Sequence, residues 1–131
     1  MALDKTISTW NMDFEGELQS PSAAIDVGGG EGRMEPYHLL FGALSSCFYA
    51  TFLSIAKKKR LSFDKATVEV SGEKDTKGDV RPLKSVRIDM TIENPSNEKG
   101  LKKSAELGTK FCSIHHTIEQ IAEMELNVSF K

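Results

Sequence analysis

Leu39-Leu40-Phe41-Gly42-Ala43-Leu44-Ser45-Ser46-Cys47-Phe48-Tyr49-Ala50-Thr51-Phe52-Leu53-Ser54-Ile55-Ala56 runs for 18 residues without a charge, and Lys57-Lys58-Lys59-Arg60 follows it. Glu35-Pro36 stands just before it. Proline suits a first helical turn, where its missing N–H would have no partner. The four cations suit a C-terminus, where exposed carbonyls and the macrodipole favour positive charge. Both ends agree on one helix, roughly Pro36 to Lys59. Its apolar length reaches the lower limit for crossing a bilayer, about 17–25 residues. Ser45, Ser46, Thr51, Ser54 and His38 at its mouth argue instead for a buried core helix, since a helix apolar all round is equally at home inside a protein.

Outward from that helix the pattern changes period. Upstream, Thr6 to Trp10, Asp13 to Leu18 and Ala23 to Val27 read as short strands broken at Asn11 and Gly16. Downstream, Ala66 to Gly72 and Leu83 to Ile92 are strands. In the second, Val86, Ile88, Met90 and Ile92 alternate with Arg87, Asp89 and Thr91, the mark of a half-buried antiparallel strand. Asn94 to Asn97 is a turn into a helix from about Glu98 to Lys110. A short helix, about Ile114 to Glu123, follows with Ser113 as its N-cap, and Leu126 to Phe130 closes as a strand. The order β-β-β-α-β-β-α-α-β defines an α+β fold, and no repeat or linker divides residues 1–131 into more than a single domain.

The chain has 131 residues, 17 Lys+Arg against 19 Asp+Glu, two cysteines and 39% hydrophobic residues. That is one domain with a proper core. It excludes a disordered tail and a disulfide-dense secreted scaffold. A formal charge of −2 leaves no electrostatic footprint for nucleic acid. Met1-Ala2-Leu3-Asp4-Lys5 lacks the basic and apolar regions of a signal peptide. With two widely separated cysteines this predicts a cytoplasmic chain with free or redox-cycling thiols, and no membrane partner.

The candidate chemistry is thiol chemistry. Cys47 sits mid-helix on a face with small residues (Gly42, Ala43, Ser46, Ala50), and on that segment alone it reads as a core cysteine. Cys112 precedes a helix start, where backbone N–H groups and the dipole lower a thiol pKa, and lies beside His115 and His116. The two cysteines suit a pair cycling between thiols and disulfide, since geometry rather than spacing decides whether they bridge. A zinc shell is the competing use, but Cys112-x-x-His115 is the only local ligand spacing and there is no C-x-x-C. No metal or other cofactor is expected. Gly28-Gly29-Gly30-Glu31-Gly32 lies between strand and helix as phosphate loops do. Arg33 stands where the dinucleotide fingerprint needs a third glycine, and no Gly-Lys-Ser/Thr follows. Arg33 is the one cation of that loop, with a fork of donors suited to a thiolate or an anionic substrate.

Pro36-Tyr37-His38-Leu39-Leu40 followed by Ser46-Cys47 resembles the Pro-x-x-Leu-Leu…Ser-Cys signature of the OsmC/Ohr family, the osmotically inducible and organic-hydroperoxide-resistance proteins. Phe111-Cys112-Ser113-Ile114 resembles the family's second motif, a Cys before a short helix. The resemblance spans about residues 5 to 130. It implies an OsmC-like fold, with curved antiparallel sheets packed on a long central helix in an intertwined homodimer. It implies further that Cys47 attacks a peroxide oxygen and that Cys112 resolves the sulfenic acid to a disulfide, reset by a dithiol reductant. The apolar surroundings would favour organic hydroperoxides. Peroxidatic members carry an acidic residue after the motif proline and an arginine from an early strand. This chain has Tyr37 there and no arginine before Arg33, which leaves Arg33, Glu35 and His38 as candidates for activation or substrate contact. Two functions follow: a thiol-dependent peroxidase, or a non-peroxidatic protein of the same fold that binds a small hydrophobic molecule or senses redox state.

Overall fold

The structure, a computed structural model, describes residues 1–131. The chain forms β1 (Ile7–Trp10), β2 (Glu15–Gln19), β3 (Ala24–Gly28), α1 (Pro36–Lys58), β4 (Lys65–Lys74), β5 (Leu83–Glu93), α2 (Glu98–Phe111), α3 (Ser113–Glu119) and β6 (Glu123–Phe130). This is the α+β order read from the sequence. The elements group into two compact units, Met1–Leu40 and Phe41–Lys131.

The first unit is an antiparallel sheet in the order β1-β2-β3. Trp10 pairs with Gly16 across the first hairpin, and a Cβ on Gly16 would fall 2.5 Å from the indole. Glycine there lets the ring lie over the neighbouring strand, where it stacks on Phe14 with centroids 5.5 Å apart. Ile7, Trp10, Phe14 and Ile25 all remain exposed.

The second unit holds most of the core. Leu44, Phe48, Phe52 and Ala56 form the one buried stripe of α1, a four-residue spacing that keeps them on one face. Gly108 of α2 makes this packing close: a Cβ there would come 3.2 Å from both Phe48 and Phe52. Phe52 also meets the ring of Phe63 at 5.7 Å. Gly72 does the same service on β4, where a Cβ would sit 3.0 Å from the Phe41 ring. From β5 the alternating Val86, Ile88, Met90 and Ile92 are buried, each such side chain contributing about 1.5–3 kcal/mol.

The second sheet departs from the expectation of antiparallel sheets alone. β4 and β5 are antiparallel, but β6 lies parallel to β5. The cause is the connection: α2 and α3 carry the chain back to the start of β5, and a helical crossover delivers a parallel strand. α3 also ends at Glu119 rather than Glu123. Ile118 O takes the N–H groups of both Ile121 and Ala122 at 3.0 and 3.1 Å. The alternation of Met124, Leu126, Val128 and Phe130 then begins the strand three residues earlier than expected.

α1 stops by a Schellman motif. Leu61 N–H donates to Ala56 O at 2.9 Å and Arg60 N–H to Lys57 O at 3.0 Å, with Arg60 in the left-handed region at φ 57°. α2 starts at Asn97, whose Oδ1 accepts from Gly100 N–H at 2.8 Å.

By length and composition α1 is apolar enough to cross a membrane, and only 22% of its most apolar window is buried inside the chain. One stripe is covered by the second unit. The expected buried core helix is therefore only partly buried within one copy of the chain.

Candidate active site

Cys47 precedes Phe48, so it lies about 100° around α1 from the buried stripe, half-exposed at the edge of the core. The hydroxyls near it are satisfied within the helix. Ser46 Oγ donates to Gly42 O at 2.8 Å and Thr51 Oγ1 to Cys47 O at 2.9 Å, the usual resolution for hydroxyls inside a helix. The thiol is left as the reactive group of its turn.

α2 delivers the second thiol. Cys112 is extended, at φ −80° and ψ 118°, and serves as both C-cap of α2 and N-cap of α3. Its Sγ accepts from His115 N–H at 3.4 Å and its side chain is fully buried. The sequence pattern assigned that cap to Ser113. Because the cysteine takes it, the Ser113 hydroxyl is free to turn towards α1, where Oγ lies 4.0 Å from Cys47 Sγ.

The two thiols influence each other's ionisation, and their pKa values move in opposite directions. Burial pushes Cys47 up. The Cys112 thiol, the amides of Ile114 and Ser113 and the Ser113 hydroxyl all bond to it and outweigh that, leaving it below the ordinary value for a cysteine. Burial pushes Cys112 up as well, and its bond to Cys47 and the Cys47 charge push further, against the amides of His115 and Ile114. Of the two thiols, Cys47 is therefore the more readily ionised. The sequence placed the helix-start effect on Cys112. The amides act on both thiols, but at Cys112 burial and the Cys47 interaction outweigh them, whereas at Cys47 the net shift is downward. Ser113 and these amides are the site groups that the sequence did not single out; the Cys-before-helix motif was their only signal.

His115 adds no charge at neutral pH. Burial lowers its pKa, Glu119 raises it and His116 lowers it, for a net fall. Its Nδ1 is buried without a hydrogen bond. Glu119 Oε2 stands 3.6 Å away, beyond bonding distance. His116 is exposed and pairs with Glu119 Oε1 at 2.7 Å. The Cys112-x-x-His115 spacing therefore brings an amide, not an imidazole, to the sulfur. No three His, Cys, Asp or Glu side chains converge as a metal shell.

The other candidates lie in the first unit. Arg33 Nη1 donates to Gly16 O at 3.0 Å and to Val27 O at 3.3 Å, so the guanidinium ties the loop to its own sheet. Glu35 and His38 form a helix cap: His38 Nδ1 accepts from Glu35 N–H at 3.0 Å. This is half of a capping box, with imidazole in place of the usual Glu or Gln. It puts the neutral ring's proton on Nε2.

The α+β order, with a long helix met by a helix junction, is that of the OsmC type. The chain belongs to the family of OsmC-like proteins, whose pattern it matches over residues 28–127. Among solved structures it is similar to an OsmC-like protein from Mycoplasma pneumoniae, with a TM-score of 0.87, 20% identity and coverage of 98% of this chain and 97% of that one. It is also similar to an organic hydroperoxide resistance protein OsmC from Legionella pneumophila, with a TM-score of 0.74, 16% identity and coverage of 98% and 99%. These likenesses establish the fold. A curated relative named hydroperoxide reductase, from Mycoplasma pneumoniae, is 24% identical over 96 residues, which is 72% of this chain and 68% of the relative.

Proposed function

We propose that residues 1–131 act as one OsmC-like domain, a cytoplasmic thiol-dependent peroxidase that reduces organic hydroperoxides. The observation that carries this is the meeting of the α2–α3 junction with α1, which sets Ser113 Oγ 4.0 Å from Cys47 Sγ beside the capping Cys112 and leaves the Cys47 pKa lowered and that of Cys112 raised. The thiolate is the nucleophilic form of cysteine. Cys47 Sγ⁻ attacks the terminal peroxide oxygen. An S–O bond forms, the O–O bond breaks, and the alkoxide leaves to take a proton as the alcohol. The Cys47 sulfenic acid then condenses with the Cys112 thiol, forming the disulfide and releasing water. A dithiol restores both thiols by exchange and leaves as its own disulfide. No metal or organic cofactor enters these steps. The name of the Mycoplasma pneumoniae relative supports this reading.

Activation of Cys47 is assigned to groups of its own unit. Amides of Ser113 and Ile114, the Ser113 hydroxyl and the Cys112 thiol are the donors to Cys47. Arg33, Glu35 and His38 are assigned no chemical step. The test is turnover of a cumene-type hydroperoxide with a dithiol, set against H₂O₂, with the organic substrate expected to be the faster. Absence of turnover with either peroxide would turn the assignment to the non-peroxidatic binding protein.

Cys112→Ala supplies a sharper test. It removes the principal donor to Cys47, so the Cys47 pKa rises. Its alkylation by a neutral reagent should then reach its plateau at higher pH than in the wild type. After peroxide treatment, mass spectrometry should find an intramolecular disulfide in the wild type and over-oxidised Cys47 in the variant. An unshifted alkylation profile would deny Cys112 its role in activation.

The protein is further proposed to be a homodimer. α1 is apolar on faces that a single chain leaves open, and Ile7, Trp10, Phe14 and Ile25 are exposed on the first unit's sheet. Exposed apolar area of this kind marks an interface. Sedimentation should give a dimer at micromolar concentration, and a well-folded monomer there would contradict the assignment.

A further inference from the structure

Ser113 is the first residue of α3 and is exposed. Hydroxyls elsewhere on α1 and α3 are spent on carbonyls of their own helix. Ser46 Oγ donates to Gly42 O, Thr51 Oγ1 to Cys47 O, and Thr117 Oγ1 to Ser113 O at 3.0 Å. Ser113 Oγ instead faces Cys47 Sγ across 4.0 Å, and that sulfur is its one hydrogen-bonding neighbour. The contact is long for a direct bond, but it suits a third atom. A peroxide oxygen about 3.2 Å from Sγ, a near-attack distance, can stand about 2.8 Å from Oγ, an ordinary O–H···O distance. With Sγ and Oγ 4.0 Å apart, the directions from that oxygen to the two atoms then meet at nearly a right angle. Displacement at an O–O bond runs in line, so the leaving oxygen lies directly away from the sulfur. The O–H of a hydroperoxide projects steeply sideways from the O–O axis, which is where Ser113 Oγ stands.

The geometry points to Ser113 as a catalytic residue that holds the peroxide itself: its Oγ accepts a hydrogen bond from the O–H of the oxygen under attack. This rests on the peroxidase reading and deepens it, by naming the group that orients the substrate at the thiolate. A serine hydroxyl has two lone pairs and one proton, so Ser113 can accept from the peroxide while its own proton stays turned to Cys47 Sγ. In the attack, an electron pair of the Cys47 thiolate forms the S–O bond. The O–O pair leaves with the alkoxide, which takes its proton from water. The hydrogen that Ser113 holds stays on its oxygen throughout and becomes the proton of the sulfenic acid. Ser113 therefore contributes orientation rather than proton transfer. An electrophile without such an O–H gains nothing from this contact.

The test sets two electrophiles against each other at the pH plateau of Cys47 reactivity, where the thiolate is fully formed in every variant. One is a cumene-type hydroperoxide, followed through a single turnover by stopped flow. The other is methyl methanethiosulfonate, a neutral thiol reagent with neither O–H nor N–H. Ser113→Ala should slow the peroxide reaction about two- to tenfold, the range of one neutral hydrogen bond, and leave the thiosulfonate rate unchanged. Ser113→Thr keeps the hydroxyl and should restore the peroxide rate. An equal fall with both reagents would overturn the assignment, because the hydroxyl would then act through the thiolate alone. Peroxide consumption in Ser113→Ala at the wild-type rate would overturn it too, while leaving the peroxidase reading in place. A wild type that reacts with the thiosulfonate but consumes no peroxide would overturn the peroxidase reading, and the role of Ser113 with it.

Discussion

Cys47→Ser is expected to bring hydroperoxide consumption down to the uncatalysed background. A serine hydroxyl at this position keeps nearly the same volume and the same neighbours. It has no base beside it to take its proton, and donors that stabilise a thiolate do not make an alcohol ionise at neutral pH. His115, the nearest imidazole in sequence to the junction, is neutral and buried. Its main-chain N–H, rather than its ring, serves Cys112. The loss should therefore fall on the chemical step, with the thermal midpoint little changed because Cys47 is only half-buried. Cys112→Ser separates the two thiols. It should retain a single turnover, since Cys47 still attacks, and then stall at the sulfenic acid. Stopped-flow consumption of one equivalent of peroxide distinguishes the cases. Retained steady-state turnover in Cys47→Ser would remove Cys47 as the nucleophile.

The parts of this arrangement that the sequence disclosed are those with a local physical signature. α1 was legible because an uncharged run flanked by proline and four cations has few other solutions, and β5 because its alternation is regular. The two cysteines were legible as chemistry-bearing residues. Their pairing was suggested by the residues and by the resemblance, but its geometry was not, because that depends on the angle at which the α2–α3 junction meets α1, and no local pattern encodes that angle. The same limit explains Ser113. Reading a serine before a short helix as its cap follows local propensity. The tertiary contact with Cys47 decides otherwise, and the cap passes to Cys112. Arg33 shows what a residue pattern leaves out. A lone arginine in a glycine-rich loop invites an anion, yet its guanidinium is used on two carbonyls of its own sheet. The parallel pairing of β6 also escaped the residues, since alternation sets which face a strand buries but not its direction.

Phe52→Ala is expected to be among the most destabilising single changes in the chain, at about 3–5 kcal/mol. Phe52 is fully buried. Its ring stands 6.4 Å from Phe48, 5.9 Å from Tyr49 and 5.7 Å from Phe63. Its Cβ lies against the Gly108 backbone of α2, so α2 is already as close to α1 as it can come and cannot collapse into the space the ring leaves. That rigidity places the loss towards the upper part of the range, because a cavity that cannot close adds to the transfer cost. Against a total stability of about 5–15 kcal/mol this removes a large fraction. Urea unfolding at fixed protein concentration should show a lower midpoint with an unchanged slope. The effect should reach the site as well. α2 carries Cys112 and Ser113 to Cys47, so loosening its seat on α1 lengthens the donor contacts that lower the Cys47 pKa. The alkylation profile of Cys47 in Phe52→Ala should move towards that of an ordinary thiol, and Phe52→Leu, which refills most of the volume, should fall between the two. A loss below about 1 kcal/mol, the scale of a single methylene deletion, with an unshifted profile would show that the α1–α2 contact neither holds this unit together nor positions its thiols.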